Sequence, residues 1–413
     1  MKIALVCPFN MLDHPGGVQQ VVIHLYLGLK KRGHDVRVIT QRPTSFKGEV
    51  PRDYILLGIT RKFKGGLGTE GGWGMPADSE EIVRILEEEK FDVINFHEPW
   101  MPMLAWQMVK HSKAAHVGTF HANLMDTAAG KSWTIFRPYG VPLLKKMDVF
   151  TATGPASAGM LIGKADMKSS RQRQLIENIK YIPCGVEMSD FRPPKKRLPL
   201  NGPDTKTIVY VGRLEKRKGA DWLIKAFTEL VKEMPNAHLI IAGSGLWANK
   251  LRQYVRLNDI TNVVFAGYVS DDEKRRLIGN ADLACFPSPY GEGFGIVLLE
   301  AMSMGTPVVA GNNLGYATVL KGHGRLGLVD PQATTDFANR LAAFLQDEPL
   351  RQTMSHWGLR EVRQYDYPKI VAQYEAVYKE AIALKNKPSQ ATKKKDAKEQ
   401  HKTIRRLFVR RHA

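Results

Sequence analysis

The sequence is short of cysteine, of acidic charge and of long apolar runs, and each shortage removes a class of protein. Only three cysteines, Cys7, Cys184 and Cys285, occur in 413 residues. They are widely separated and each lies in an apolar stretch, so the sequence writes neither a disulfide framework nor a zinc site and fits a reducing cytoplasm. No apolar run approaches the ~20 residues of a bilayer-spanning helix; the stretch from Met101 to Val109 is already interrupted by Gln107. The segment Met1-Lys2-Ile3-Ala4-Leu5-Val6-Cys7-Pro8 is too short before its proline for a signal-peptide core and reads as a buried first strand. Asp-x-Asp occurs nowhere in the chain.

What is present describes a folded protein. Apolar residues make up 43% and charged residues 24%, too apolar for a disordered chain. At ~150 residues per domain the length implies two or three domains. Lys and Arg number 60 against 41 acidic residues, a formal charge of +19. Nearly half of that excess, +9, lies between Lys385 and Ala413, where eleven basic residues face Asp396 and Glu399. Anionic lipid headgroups and nucleic acid would both attract such a tail; a solvated, disordered terminus with no fixed partner is the other reading.

Short β-rich apolar runs alternate with helix-length periodic segments. Strands are expected at Lys2–Cys7, Asp35–Thr40, Asp92–Phe96 and Ala115–Phe120, with helices at Val18–Arg32, Asp78–Lys90 and Pro102–His111. The rhythm breaks at the proline-rich, charged segment Phe191–Pro199 and restarts with strands at Thr207–Val211, His238–Ala242 and Val263–Phe265 and helices at Gly219–Lys232 and Leu246–Leu257. The expected organisation is α/β, two Rossmann-like domains at 1–198 and 199–365. A C-terminal helix, 366–385, should cross back to the first domain, followed by a disordered basic tail at 386–413.

Open α/β sheets bind ligands outside the carboxyl ends of their strands. The turn after the first strand, Asp13-His14-Pro15-Gly16-Gly17-Val18-Gln19, is not Gly-x-Gly-x-x-Gly, so a nicotinamide dehydrogenase loses its main support. Its paired glycines can still bring backbone amides close to an anion, or simply make a tight turn. Val211-Gly212-Arg213-Leu214-Glu215-Lys216-Arg217-Lys218-Gly219 places Arg213 and Lys218 where they could bind a diphosphate. In Pro287-Ser288-Pro289-Tyr290-Gly291-Glu292-Gly293-Phe294-Gly295-Ile296, followed by Val297 to Met302, Glu292 lies in a loop and Glu300 two turns into the next helix. One carboxylate can meet a sugar ring and the other a ribose diol, with helix-start amides facing phosphates. Glu300 sits in an apolar run, where an unpaired carboxylate is costly.

With this ordered set, the sequence resembles the family 4 glycosyltransferases, retaining enzymes whose two Rossmann-like domains face each other across a cleft in the GT-B fold. The resemblance covers residues 1 to about 380. Within that family Pro15-Gly16-Gly17-Val18-Gln19, His97-Glu98-Pro99, Gly118-Thr119-Phe120-His121 and Arg137-Pro138-Tyr139 look most like the phosphatidylinositol mannosyltransferases of actinobacteria. The resemblance implies that the first domain binds the acceptor and the second the nucleotide sugar. It gives Gly17 and Lys218 with Arg213 to the donor diphosphate, and Glu300 to the ribose. Glu292, with the amides of Phe294, Gly295 and Ile296, falls to the sugar, and Tyr268 and Val269, beside Lys274, to the base. Asp13, Gln19 and His121 fall on the acceptor side, where a plain buried histidine is the other reading of His121.

The same resemblance implies transfer of a hexose, mannose from GDP-mannose, to a lipid such as phosphatidylinositol by an enzyme bound peripherally to the cytoplasmic membrane face. It also implies front-face attack, in which the leaving phosphate takes the acceptor proton and no protein nucleophile is needed. Arg213, Lys218 and a helix N-terminus would compensate the diphosphate, so neither a metal nor another cofactor is expected, and a nucleic-acid partner is not expected either. Where the subgroup has a membrane-touching basic helix, this chain places Arg61-Lys62-Phe63-Lys64 before a glycine-rich run reaching Trp73 and Gly74, and glycine disfavours a helix. The alternatives are a transferase of the same family with a soluble acceptor, making a glucan, disaccharide or cell-surface polysaccharide, and a non-catalytic basic protein that binds membrane or nucleic acid. The intact Arg213, Lys218, Glu292 and Glu300 set speaks against the second.

Overall fold

The computed structural model describes the chain apart from residues 13–15, 44–45, 65–69, 75, 102, 124–141, 163–176 and 388–413. In the first half, β1 (Lys2–Val6), α1 (Gly17–Lys31), β2 (Asp35–Arg42), β3 (Tyr54–Lys64), β4 (Glu70–Gly74), α2 (Ser79–Glu89), β5 (Val93–His97), α3 (Leu104–His111), β6 (Ala115–Phe120), β7 (Val149–Ala152), α4 (Pro155–Ile162) and β8 (Lys180–Tyr181) follow in order. The strands form one sheet in the order β4-β3-β2-β1-β5-β6-β7-β8, parallel except for the edge strand β4. Strands covered on both faces read as continuous apolar runs. Accordingly Ile3, Ala4 and Leu5 in β1, and Val93 and Ile94 beside them in β5, are fully buried.

Helix α1 packs through Val21, Val22, Leu25 and Leu29, spaced to lie on one face. Lys30 and Lys31 in its last turn complement the helix dipole. Asp78 caps α2 by accepting from the Glu80 amide at 3.1 Å, and Lys90 ends it in the left-handed region at φ 48°. The segment beginning at Arg61 is a hairpin here: β3 runs through Lys64 and pairs antiparallel with β4, Arg61 opposite Trp73 and Phe63 opposite Gly71. Glycine weakens a helix and a strand interior alike, and the segment is held here by the pairing of β3 with β2 and β4.

The second half contains β9 (Lys206–Val211), α5 (Ala220–Glu233), β10 (Ala237–Ala242), α6 (Ala248–Leu257), β11 (Val263–Gly267), α7 (Asp271–Asn280), β12 (Leu283–Phe286), α8 (Ile296–Ser303), β13 (Val308–Gly311), α9 (Leu314–Val319), β14 (Leu328–Val329), α10 (Thr334–Gln346) and α11 (Glu348–Glu361). Its sheet is wholly parallel in the order β11-β10-β9-β12-β13-β14. The connecting segment is fastened to this half, with Arg197 donating to the carbonyls of Ala281 and Gly305 and the Leu198 amide donating to Asn280 at 2.7 Å.

The last helix, α12 (Tyr367–Asn386), lies on the first half against α1, β5 and β6. Tyr367 stacks on His24, Glu375 pairs with Arg32, and a Cβ on Gly28 would stand 2.5 Å from Val371, so the helices touch where α1 has no side chain. In each sheet the crossovers leave two central strands in opposite directions, β1 and β5 in one, β9 and β12 in the other. These switch points open a crevice at the strands' carboxyl ends.

Candidate active site

Four loops leave the switch-point strands β1, β5, β9 and β12, and Arg213, Lys218 and Glu292 lie on the last two of them. After β9 the chain makes a 3-10 turn at Lys216–Lys218 and enters α5 through Gly219. Tyr210 braces this loop by donating its hydroxyl to the Arg213 carbonyl at 2.9 Å. The turn points two cations at the loop after β12: Lys218 Nζ lies 2.7 Å and Arg217 Nη1 2.9 Å from the same Glu292 Oε1. Burial would raise the Glu292 carboxyl, but Lys218 and Arg217 outweigh it and hold its pKa down at about 2. Arg213 stands further out, 55% exposed, paired with the buried Glu215 at 2.7 Å, and Arg217 also reaches Glu215. Three cations thus face two carboxylates, which leaves positive charge for an anionic ligand.

Glu292 leads into α8 through Gly295, whose φ of 118° belongs to glycine. A Cβ there would also meet the Tyr316 ring at 2.7 Å. Among the described residues no side chain caps α8, so its first amides remain available to an anion. Ile296 is its first residue, and Phe294 is buried against Tyr365 just before it. Glu300 therefore lies little more than one turn into the helix and not two, because the loop runs on through Gly295. It is buried, with Oε1 bonded to Lys274 at 2.9 Å and Oε2 left with no hydrogen-bond partner among the described residues. Burial raises its pKa against the pull of Lys274. A buried carboxylate oxygen without a donor suits a ligand hydroxyl.

On the first domain, His121 follows β6 and is buried. Its backbone amide and that of Ala122 donate to Glu98 Oε1 at 2.8 and 2.7 Å, while Trp100 Nε1 donates to the other oxygen. Glu98 follows β5 at φ 51°, an uncommon conformation for a side-chain-bearing residue, and burial pushes its carboxyl up to about 7 despite those donors. The His121 ring is bonded to His97, Nε2 to Nδ1, at 2.8 Å, and burial lowers its pKa to about 3. Across the crevice the His121 carbonyl meets Gly293 so closely that a Cβ there would stand 1.8 Å away. A Cβ on Gly17, the first residue of α1, would lie 3.8 Å from Ile296 Cδ1, so the starts of α1 and α8 confront each other.

The structure thus gathers Lys218, Glu292, Gly293, Gly295, Ile296, Gly17 and His121 along one crevice, and joins Glu300 to Lys274. Gln19 is half-buried on α1 and reaches the Asn10 carbonyl at 3.4 Å. Tyr268 is 72% exposed after β11, with Val269 half-buried beside it. Asp13, Pro15 and Arg137-Pro138-Tyr139 lie outside the described residues, as does the tail beyond Lys387. Two further residues, Arg217 and Glu98, make contacts in the site that the motifs around them do not assign. Arg217 takes the Glu292 contact, and Glu98 holds the His121 backbone; a cation next to Lys218 and an acid after a buried strand were the available signals. A hollow of about 550 Å³ lined by His323, Arg325 and Arg340 shares no residue with this crevice.

Two doubly wound sheets with switch-point loops converging on one crevice, its second wall carrying buried cation–carboxylate pairs, are the architecture of a GT-B glycosyltransferase. Residues 15–190 match Glycosyltransferase Family 4 and residues 192–358 match Glycosyl transferases group 1. The chain belongs to glycosyltransferase family 4. It is 32% identical over 388 residues to the phosphatidyl-myo-inositol mannosyltransferase of Mycobacterium tuberculosis, covering 92% of this chain and 96% of that one. Among solved structures, sucrose-phosphate synthase of Thermosynechococcus elongatus superposes with TM-score 0.73 at 22% identity, covering 92% of this chain and 99% of the other. HepE of Anabaena, in complex with UDP and glucose, superposes with TM-score 0.72 at 21% identity over 91% of this chain and 99% of that one.

Proposed function

We propose that the protein is a retaining, metal-independent hexosyltransferase that moves mannose from GDP-mannose to a lipid acceptor such as phosphatidylinositol at the cytoplasmic membrane face. The observation that carries the donor half is the meeting of Lys218, Arg217 and Glu292 beside the uncapped start of α8. Arg213 and Lys218, with the amides of Gly17 and of the α8 start, would take the diphosphate, whose charge grows as the bond to the sugar breaks. Glu300 Oε2 would accept from the ribose diol, Tyr268 and Val269 would border the base beside Lys274, and Glu292 would fix a sugar hydroxyl while aligning its two cations. The acceptor is supported by the name of the mycobacterial relative and by the chain's charge of +19. Basic residues contribute ~1 kcal/mol each near an anionic surface. No helix among the described residues is long and apolar enough to cross a membrane.

In the transfer, the acceptor hydroxyl oxygen would bond to the sugar's anomeric carbon on the face from which the diphosphate departs. The carbon–oxygen bond to the phosphate breaks with its electron pair going to the phosphate, and that oxygen takes the hydroxyl proton. Configuration is kept with no covalent sugar–enzyme step. Asp13, Gln19 and His121 would hold the acceptor for this approach. The experiment is a panel of nucleotide sugars presented to the full chain, with hydrolysis and thermal stabilisation as readouts. GDP-mannose should stabilise and be hydrolysed most, and a preference for another base or sugar would replace it as donor.

A further inference from the structure

Behind His121 a chain of fully buried polar groups runs out to the last helix. Thr119 Oγ1 donates to Asn95 Oδ1 at 2.7 Å, which turns the amide nitrogen toward two acceptors. Asn95 Nδ2 lies 2.8 Å from Tyr378 Oη on α12 and 3.3 Å from His97 Nε2, and His97 Nδ1 lies 2.8 Å from His121 Nε2. An amide nitrogen can only donate. With the amide in this orientation His97 Nε2 is the bare nitrogen, so its one proton is on Nδ1 and is donated to His121 Nε2. That fixes the proton of His121 on Nδ1, which is buried and has no partner among the described residues. Burial keeps both rings neutral, so each carries a single N–H and the order cannot be shared between two charged forms. A buried N–H without an acceptor is costly and marks a place for one.

We propose that Asn95 and Tyr378 are positioning residues which, through His97, hold His121 in its Nδ1–H tautomer, so that the histidine meets a substrate hydroxyl oxygen as a hydrogen-bond donor and not as a base. This deepens the reading of His121 given above and rests on it. Chemically it suits front-face transfer, where the leaving phosphate takes the proton and a protein base would only compete for it. It also gives the crossing of α12 a role at the site, since Tyr378 takes up the second amide hydrogen of Asn95.

Nitrogen NMR of the full chain with 15N-labelled histidine reads the tautomer directly and needs no substrate. His121 should show a protonated Nδ1 and a bare Nε2; the opposite pattern overturns the relay and leaves the transferase reading intact. In Asn95→Asp the carboxylate accepts from His97 Nε2–H, so the His121 pattern should reverse. Turnover should fall roughly 100-fold, the loss expected when a substrate hydroxyl is no longer held in its reacting position, while nucleoside diphosphate affinity stays within about two-fold. A folded Asn95→Asp variant with an unreversed ring, or with a reversed ring and full turnover, contradicts the proposal. Should that variant not fold, Tyr378→Phe decides, since freeing the amide should populate both tautomers and lower turnover; an unchanged spectrum there removes Tyr378. Failure of the wild-type chain to transfer from any nucleotide sugar would instead overturn the activity, with the tautomer measurement still standing.

Discussion

Gly293 and His121, from different domains, touch without a side chain between them: a Cβ on the glycine would stand 1.8 Å from the histidine's carbonyl oxygen. The contact couples the loop that carries Glu292 to the strand end that carries His121. Backbone cannot yield as a flexible side chain can, so a methyl group here forces the domains apart. Gly293→Ala should therefore keep nucleoside diphosphate affinity within about three-fold and lower kcat by at least about ten-fold, since misplacement on the scale of 1 Å costs that much or more. Steady-state kinetics beside calorimetry checks it, and an unaltered kcat would show that transfer does not use this approach.

Glu292 should also report on stability through pH. Its pKa is held at about 2, below the ordinary 4.5, so its ion pairs stabilise the fold fully above about pH 4.5 and lose that contribution as pH falls toward 2. Glu292→Gln leaves Lys218 and Arg217 buried without their carboxylate, at a cost on the order of 3 kcal/mol near neutrality. Urea unfolding from pH 7 down to pH 3 should show the gap between wild type and variant closing at the acid end. A constant gap would mean that the carboxylate is not what the substitution removed.

Arg213 and Lys218 should weaken nucleoside diphosphate binding by about ten-fold or more when either becomes Ala, the loss of one charge-assisted bond. Arg217→Ala should act differently, because its guanidinium lies between Glu215 and Glu292. It should lower the melting temperature more than Arg213→Ala does, since Arg213 is largely exposed. Calorimetry with bare nucleotide and thermal unfolding separate the two effects.

Glu300 Oε2 should be the oxygen that meets the ribose. Glu300→Gln and removal of the ribose hydroxyls from the nucleotide should each weaken binding about ten-fold, and together hardly more than either alone. Additive losses in this cycle would place the ribose elsewhere.

Much of this architecture was legible because its causes are local. Buried parallel strands must be mostly apolar, so β1, β5, β6, β9 and β10 stand out, and the prolines of Phe191–Pro199 mark the join between the halves. The carboxyl-end rule located Lys218, Glu292 and Gly17 at the right edges of their sheets. Partnership was not legible. Lys218 and Glu292 are 74 residues apart, and nothing in either loop shows that the cation expected at the phosphates and the carboxylate expected at the sugar are bonded to each other. Asn95 and Tyr378 are 283 residues apart, and their bond exists because α12 returns across the first sheet. The hairpin of β3 and β4 was hidden for the same reason, since edge strands draw their stability from pairing and not from a pattern of their own. The start of α8 was misplaced by a turn because Gly295 lets the loop continue where periodicity already reads as helix.

The most direct measurement offers the full chain labelled GDP-mannose with vesicles containing phosphatidylinositol, and separately with water-soluble inositol and glycan acceptors, and then determines the product and its anomeric configuration. The proposed function predicts a mannosylated lipid with the α-configuration of the donor retained, formed in metal-free buffer and reduced by Lys218→Ala, Glu300→Ala and His121→Ala. A product only on the soluble acceptors, an inverted linkage, or transfer that requires an added divalent cation would contradict it.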